Sequence, residues 1–308
     1  MKKVLVTGAN GFLGRPTLAL LHGRGFEVHA ISSKAPPDGE SEIYWHLADL
    51  LDNKQTEEAI AGIKATHLLH LAWYTEPRKY WNAIENLEWL RSSVSLLRAF
   101  TTAGGERVLF AGTCAEYDWN AGICSELNTP LVPATLYGTC KHALQLVLEA
   151  YSLQVGLSYA WARFFFPYGP HERPERFIPT VICSLLEDRP AECSHGNQQR
   201  DFLFVLDAAA ALVALLESDV RGAVNIGSGH AVALKEIAFQ IGEMLHRTEL
   251  LRLGAIPMAT NDPPLLVADV GRLHDEVGWR PQFDLQQGLA QTVEWWRLCK
   301  LKIAGTQD

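Results

Sequence analysis

The 308-residue sequence has no long apolar run and no basic segment, and each absence argues against a class of function. The first apolar run, residues 4–6, is interrupted at once by Thr7 and Gly8, so it is too short for a signal peptide or a membrane span. The net charge of -8 argues against a nucleic-acid or anionic-membrane surface, because such partners need a local excess of Lys and Arg. We therefore expect a cytoplasmic protein with neither partner.

Cysteine is sparse and scattered. The six cysteines form no C-x-x-C pair and have no His at zinc-like spacing, so we expect reduced thiols and no metal site. Apolar residues make up 48% and charged residues 20%, which is ordinary for a folded globular chain.

Short β-branched runs alternate with amphipathic stretches up to residue 164, the pattern typical of βαβ units and a parallel sheet. The predicted strands are 3–7, 27–32, 67–71, 107–111 and 158–164, and the predicted helices are 15–23, 54–61, 85–103 and 137–155. Pro and Gly become frequent after Tyr168. We expect an α/β fold with two domains, a Rossmann-type doubly wound parallel sheet over 1–168 and a smaller mixed α/β lobe over 169–308. Residues 202–218 and 223–226 look regular enough to pack back on the first lobe, so the domains are expected to interleave partly.

A glycine-rich turn follows the first predicted strand and opens the first helix. Glycines at 8, 11 and 14 allow a tight turn, a close approach of pyrophosphate to the backbone, and close packing of helix on sheet. The helix N-terminus then offers N–H groups to phosphates. The loop predicts a dinucleotide site, and its candidate residues are Gly8, Asn10, Gly11, Phe12, Leu13, Gly14 and Arg15.

The end of the second strand bears on which dinucleotide is bound. An acidic residue there usually accepts hydrogen bonds from the ribose of NAD, but this strand ends in Ser32, Ser33 and Lys34. Hydroxyls and a cation would accept the 2′-phosphate of NADP(H), which we therefore prefer to NAD(H). The alternative interpretation of Lys34 and Arg15 is that they are solvated surface charges with no ligand. Further candidates are Asp49, as adenine partner or helix N-cap, and Leu50, Leu71 and Ala72 near strand ends.

Tyr137 and Lys141 lie four residues apart, on one face of a predicted helix. A nearby cation lowers the pKa of a phenol, which is what a proton shuttle at neutral pH needs. Thr113 follows a predicted strand, where its hydroxyl is placed either to orient a reacting carbonyl toward Tyr137 or to cap the next turn.

Together with these residues, other motifs make the chain resemble the extended short-chain dehydrogenases that act on sugar nucleotides. They are Arg163 before Tyr168-Gly169-Pro170, Arg200-Asp201-Phe202, Val224-Asn225-Ile226-Gly227 and Gly278-Trp279-Arg280-Pro281. The resemblance implies a Thr113–Tyr137–Lys141 triad, with Lys141 binding the nicotinamide ribose. It also implies a nucleotide-sugar substrate whose diphosphate contacts Arg200, and a homodimer through helices 85–103 and 137–155.

The chain departs from this family at several positions. Members that act as 4,6-dehydratases typically carry Asp-Glu or Ser-Glu directly after the catalytic Thr, whereas this chain has Cys114 and Ala115. An Asn and a late Arg that hold the diphosphate are also missing. A polar cluster at 171–176 that includes Arg176 is expected either to replace these missing diphosphate contacts or to form an exposed loop. Trp73 is a candidate wall of the sugar site, although a core role is the commoner fate of such an aromatic residue.

Three functions follow from these features. The first is an NADPH-dependent 4-ketoreductase of a nucleotide-linked 4-keto-6-deoxyhexose, in which Cys114 would line the substrate site. The second is an NAD-dependent 4-epimerase of a nucleotide-linked sugar. The third is a non-catalytic dinucleotide-binding protein, although the intact triad argues against it.

Overall fold

The computed structural model describes residues 2–35, 42–258 and 262–304, with only the backbone of 302–304. Its strands are β1 Lys3–Thr7, β2 Glu27–Ser32, β3 Tyr44–Leu47, β4 His67–His70, β5 Arg107–Thr113, β6 Ile123–Cys124, β7 Ser158–Phe164, β8 Phe166–Tyr168, β9 Ala191–Cys193, β10 Gln199–Arg200, β11 Phe202–Phe204, β12 Gly222–Ile226, β13 Val232–Ala233, β14 Leu251–Leu253 and β15 Leu265–Ala268. Its helices are α1 Gly14–Gly23, α2 Asn53–Ile63, α3 Glu85–Thr102, α4 Leu136–Val155, α5 Phe177–Leu186, α6 Val205–Glu217, α7 Leu234–Leu245, α8 Gly271–Asp275 and α9 Leu285–Ala304.

The main sheet has seven parallel strands in the order β12-β7-β5-β4-β1-β2-β3. The chain runs outward from β1 to β3 on one side, then returns to β4 on the other side and continues to β12. The reversal of direction beside β1 is the switch point of a doubly wound sheet, where ligands bind at the carboxyl ends of the strands. The predicted Rossmann-type α/β fold is confirmed.

Strand alternation divides the core between the two faces of this sheet. Val4 and Val6 on β1 point to one face, where they belong to the cluster that contains Leu18 of α1 and Leu212 of α6. Leu5 points to the other face, in the cluster formed with α3 and α4. Because both faces are covered, the strands are apolar throughout rather than alternating in polarity.

Residues beyond 168 also contribute to the main sheet. β12 pairs in parallel with β7, and α6 packs on the same face as α1. The remaining carboxyl-terminal elements build a separate cluster in which α5, α7 and α9 meet around Ile182, Ile237 and Leu289. A mixed four-stranded sheet, β13-β10-β15-β6, brings β6 of the first half against β15 of the second. No described helix is long and apolar enough to cross a membrane.

Candidate active site

The glycine loop between β1 and α1 is crowded against other backbone atoms. Gly8 has a φ of +69°, and a Cβ there would lie 2.7 Å from the amide nitrogen of Ala72. A Cβ on Gly14 would lie 2.3 Å from the carbonyl oxygen of Gly8. Side chains are therefore excluded at both positions, which leaves the backbone at the amino end of α1 open to a ligand.

Several features of this loop fit a dinucleotide. The side-chain oxygen of Asn10 is buried and has no hydrogen-bond partner among the described residues. The Asn10 amide donates to the Ser32 hydroxyl at 3.0 Å, which ties the loop to the end of β2. Phe12 and Leu13 instead pack against the carboxyl-terminal cluster. The loop therefore presents an unsatisfied acceptor, which suits a hydroxyl or amino donor of a ligand, next to the helix N-terminus, whose N–H groups suit a phosphate.

The rim of the predicted adenosine site is polar and without a carboxylate at 32–35. Ser32 accepts from the backbone N–H of Lys34 at 3.1 Å, and Arg15 donates to the carbonyl of Asn10 at 3.1 Å. The N-cap of α2 is Asp52, whose side chain accepts from the amides of the first turn. The alternative interpretation of Asp49 as an N-cap is therefore wrong. The Asp49 side chain accepts from the backbone N–H of Leu51, in the turn that precedes α2. Leu50 is buried.

The carboxyl end of β5 and the start of α4 bring Thr113, Tyr137 and Lys141 together. Thr135 caps α4 by accepting from the amide of Gly138 at 3.1 Å, which fixes the first turn that carries Tyr137. Burial of the hydroxyl, reinforced by nearby Tyr80, raises the pKa of Tyr137, whereas the sequence predicted a lowered value. A hydrogen bond from Thr113 favours the Tyr137 phenolate but does not outweigh burial.

Lys141 is buried behind Tyr137. Its ammonium donates to the carbonyl of Ala111 at 2.8 Å and lies 3.8 Å from the ring centroid of Trp73. Burial lowers the pKa of Lys141 to about 7, and the Glu116 carboxylate opposes this shift. The Trp73 indole donates to Asn86 at 2.8 Å, so this tryptophan supports Lys141 from a buried position.

The predicted substrate-contacting residues lie in different surroundings. Cys114 is buried, and burial raises the pKa of its thiol. Arg200 is only 4% exposed and is ion-paired with Asp262. Arg176 reaches toward Tyr80 and Glu172. Burial acts to lower the Arg176 pKa, but the interactions with Tyr80 and Glu172 outweigh it and leave the pKa raised.

The segment at 171–176 contains exposed side chains and one largely buried carboxyl group. Arg173 pairs with Glu76 at the surface at 2.8 Å. Glu172 is buried, and burial raises its pKa to about 8 although Arg176 lies 3.8 Å away. Arg176 therefore stands beside a carboxyl group that is mostly protonated at neutral pH.

Two further groups surround this site: the aromatic residues Tyr80 and Trp81, which the sequence offered as sugar-site or core aromatics, and Glu116, which sequence reasoning missed. Tyr80 and Trp81 meet the Tyr137 ring edge-on, with centroids 5.0 and 5.9 Å away. Glu116 accepts from the backbone N–H of Thr113 at 2.8 Å and closes a capping box. The T-x-x-E spacing was a signal in the sequence that could have identified Glu116.

Among the residues in view, no group of three or more His, Cys, Asp or Glu side chains is suited to hold a metal ion. The arrangement instead places a hydroxyl, a phenol and an ammonium at the carboxyl end of β5, with Thr113 hydrogen-bonded to Tyr137 and Lys141 bound to the Ala111 carbonyl. Such groups transfer and stabilise a proton on a substrate oxygen.

Comparison with known proteins supplies the family context. Residues 4–227 match the model of the NAD dependent epimerase/dehydratase family. The chain is 26% identical to a UDP-glucose 4-epimerase of Rhizobium meliloti, over 92% of this chain and 93% of that protein. It is 25% identical to UDP-glucuronic acid decarboxylase 1 of Danio rerio, over 96% of this chain and 72% of that protein.

Solved structures give the same picture. The UDP-glucose 4-epimerase of Thermus thermophilus, solved with NAD, superposes with a TM-score of 0.86 at 25% identity, covering 96% of this chain and 99% of that one. MoeE5, solved with UDP-glucose and NAD, superposes with a TM-score of 0.84 at 30% identity, covering 97% and 99%.

Proposed function

The chain belongs to the NAD dependent epimerase/dehydratase family, whose curated relatives are enzymes, and we propose that it is an NAD-dependent 4-epimerase of a nucleotide-linked sugar. The observation that carries the proposal is the meeting of Thr113, Tyr137 and Lys141 beside the glycine loop, with no acidic side chain directly after Thr113. This replaces the 4-ketoreductase as the leading interpretation, because several relatives that match nearly end to end are 4-epimerases.

Each group of the triad has a role in this reaction. Tyr137 accepts the proton of the sugar 4-hydroxyl at its phenolic oxygen and later returns it. Thr113 donates a hydrogen bond that holds the phenolate and the sugar oxygen in line. Lys141 supplies the nearby positive charge that favours the phenolate. The glycine loop at residues 8–14 would hold NAD, which would supply a reversible hydride acceptor for the sugar carbon.

The residues after Thr113 argue against water loss or decarboxylation assisted by an acid. Cys114 and Ala115 are both buried, and the thiol pKa is raised, so neither position offers a carboxylate. The next residue, Glu116, faces away from the substrate side toward Arg163. Proton transfer is therefore left to Tyr137, which suits a reaction that begins and ends with a sugar alcohol.

One observation favours a second candidate, the NADPH-dependent 4-ketoreductase. Ser32 and Lys34 at the end of β2 would accept a 2′-phosphate without charge repulsion, and Arg15 lies next to the same loop. The Thermus thermophilus epimerase and MoeE5 were both solved with NAD, which favours the epimerase.

One assay separates the two candidates. Purified protein is incubated with UDP-glucose and NAD, and the 4-epimer is measured by NMR while nicotinamide absorbance is recorded. We expect inversion without net cofactor consumption, and a loss of about 100-fold or more in Tyr137→Phe because the proton acceptor is removed. Tyr151→Phe is the matched control, since this tyrosine on the same helix bonds Thr101 instead. NADPH consumption with a nucleotide-linked 4-keto-6-deoxyhexose, and no inversion, would establish the reductase instead.

We also propose that the protein is a homodimer. The outer faces of α3 and α4 expose large apolar side chains, among them Leu87, Leu146 and Leu153. Leu146 and Leu153 are seven residues apart and share one helix face. Two copies meeting at this face would bury these side chains in a four-helix arrangement.

A further inference from the structure

A buried ion pair lies behind Thr113 and Lys141 and has no part in the proposed proton transfer. Glu116 is 0% exposed and Arg163 is 1% exposed, with 2.8 Å between the Arg163 Nε and a Glu116 carboxylate oxygen. The Trp161 indole N–H also donates to Glu116, at 2.9 Å. A buried pair is weak evidence for stability, because desolvating both charges offsets their attraction. Its location therefore calls for a functional explanation.

This pair connects the two halves of the triad. Glu116 accepts from the backbone N–H of Thr113 at 2.8 Å and so fixes the end of β5. Arg163 donates to the side-chain oxygen of Gln145 at 2.7 Å. Gln145 lies one helical turn beyond Lys141 and two turns beyond Tyr137. A single ion pair thus sets the position of α4 relative to Thr113.

The acidic member of this pair also acts on the charge of Lys141. Glu116 is the acid that opposes the lowering of the Lys141 pKa by burial. His70 on β4 also faces Lys141, but burial lowers its pKa to about 3, so it is neutral. Burial raises the pKa values of Tyr117 and Cys114, and these side chains are neutral as well. Tyr137, on the same helix, is a neutral phenol at rest because its pKa is raised by burial.

We propose that Glu116 and Arg163 are positioning residues that hold Lys141 positively charged and Thr113 aligned with Tyr137. Glu116 favours the ammonium, and Arg163 limits that effect while it anchors α4 through Gln145. The proposal rests on the roles assigned above to the triad. It predicts that removing one partner or the other moves the Lys141 titration in opposite directions.

The test measures Lys141 directly in the full chain. Protein labelled biosynthetically with ¹³C-lysine is titrated by NMR, and the Lys141 signal is identified by its loss in Lys141→Arg. In Glu116→Gln the midpoint should fall by about one pH unit, because the carboxylate that favours the Lys141 ammonium is removed. In Arg163→Met it should rise by about one unit, because the Glu116 charge is left unpaired.

Turnover gives a second readout of the same shift. Lys141 is protonated below its pKa, so a lower pKa moves the alkaline loss of kcat to lower pH in Glu116→Gln. Arg163→Met should move that limb to higher pH, and KM should change little in either variant. A purely structural role would lower activity at every pH without displacing the limb.

Controls separate charge from damage to the fold. Arg107 is a second buried arginine, on β5, and it donates to the carbonyls of Leu215 and Leu216. Arg107→Met should leave the Lys141 midpoint in place. Arg163→Lys keeps the cation and should also leave it in place. If Arg163→Met does not fold, Glu116→Gln against Arg163→Lys decides the question.

Midpoints that stay unchanged in Glu116→Gln, or that move in the same direction in both charge-removing variants, would overturn the proposal. The NMR titration needs no sugar substrate. A protein that shows the opposite shifts but no inversion of any nucleotide sugar would therefore disprove the proposed function while leaving this inference intact.

Discussion

Arg200 illustrates how a single residue can be recognised in the sequence and still be engaged differently in the structure. Its guanidinium is ion-paired with Asp262 and lies 5.7 Å from the ring centroid of Phe166. Asp262 also accepts from the Gln198 amide at 3.1 Å. A substrate diphosphate that binds Arg200 must compete with this carboxylate for the same donors.

Removing the competing charge should therefore strengthen nucleotide binding. We expect Asp262→Asn to lower the Kd for UDP about tenfold, or about 1.4 kcal/mol, as measured by calorimetry. Asp188→Asn is the matched control, because Asp188 pairs with Arg247 at an exposed position. An unchanged Kd in Asp262→Asn would mean that Arg200 does not bind the diphosphate.

Among the elements, α1 depends most directly on glycine. Its first residue, Gly14, has no room for a Cβ, which would lie 2.3 Å from the Gly8 carbonyl oxygen. Gly14→Ala must displace the loop, so we expect dinucleotide affinity to fall more than tenfold and the free energy of unfolding to fall by about 1–3 kcal/mol. Fluorescence titration with NAD and urea denaturation measure the two effects.

The other end of the same helix provides the control. A Cβ on Gly23 would meet nothing within 4 Å. Gly23→Ala should therefore raise the free energy of unfolding by about 0.5 kcal/mol, through the lower entropy of the unfolded chain, and leave NAD affinity unchanged. Equal losses of affinity in the two variants would rule out a specific role for the close approach at Gly14.

The elements that sequence patterns predicted well are those that bury continuous apolar runs. β1, β2 and β7 have the predicted bounds because both of their faces are covered. β3 was missed because it is an edge strand with Tyr44 and Leu47 exposed, so no burial pattern marks it. The two-residue strand β10 pairs with β13 on one side and with β15 on the other, and such pairing between distant segments is not encoded in local sequence.

The candidate site likewise contains residues that local spacing predicted and residues that only the fold brings together. Tyr137 and Lys141 share one helix, and their spacing alone predicted that they meet. Glu116 and Arg163 are 47 residues apart and come together only because β5 and β7 are neighbours in the sheet. The pattern of motifs identified the family, whereas charge pairing across strands required the fold.

At the scale of the whole molecule, the outer surface of α4 exposes large apolar side chains to solvent. Leu146 is 52% exposed and Leu153 is 76% exposed on the same face of a long helix. Exposed apolar side chains in a row mark an interaction surface more often than a solvent-facing one. The proposed twofold pairing of this face would give the apolar outer side of α4 a function.

Charge placed on that face should separate the two copies. We expect the wild-type protein to show twice the chain mass by light scattering, and Leu146→Glu with Leu153→Glu to show the mass of one chain, because two carboxylates per subunit would be forced into an apolar contact. Leu127→Glu is the control, since Leu127 is 80% exposed on a loop outside α3 and α4. A wild-type protein with the mass of one chain would contradict the dimer. Dissociation with full activity would show that each subunit holds a complete triad, because Thr113, Tyr137 and Lys141 all come from one chain.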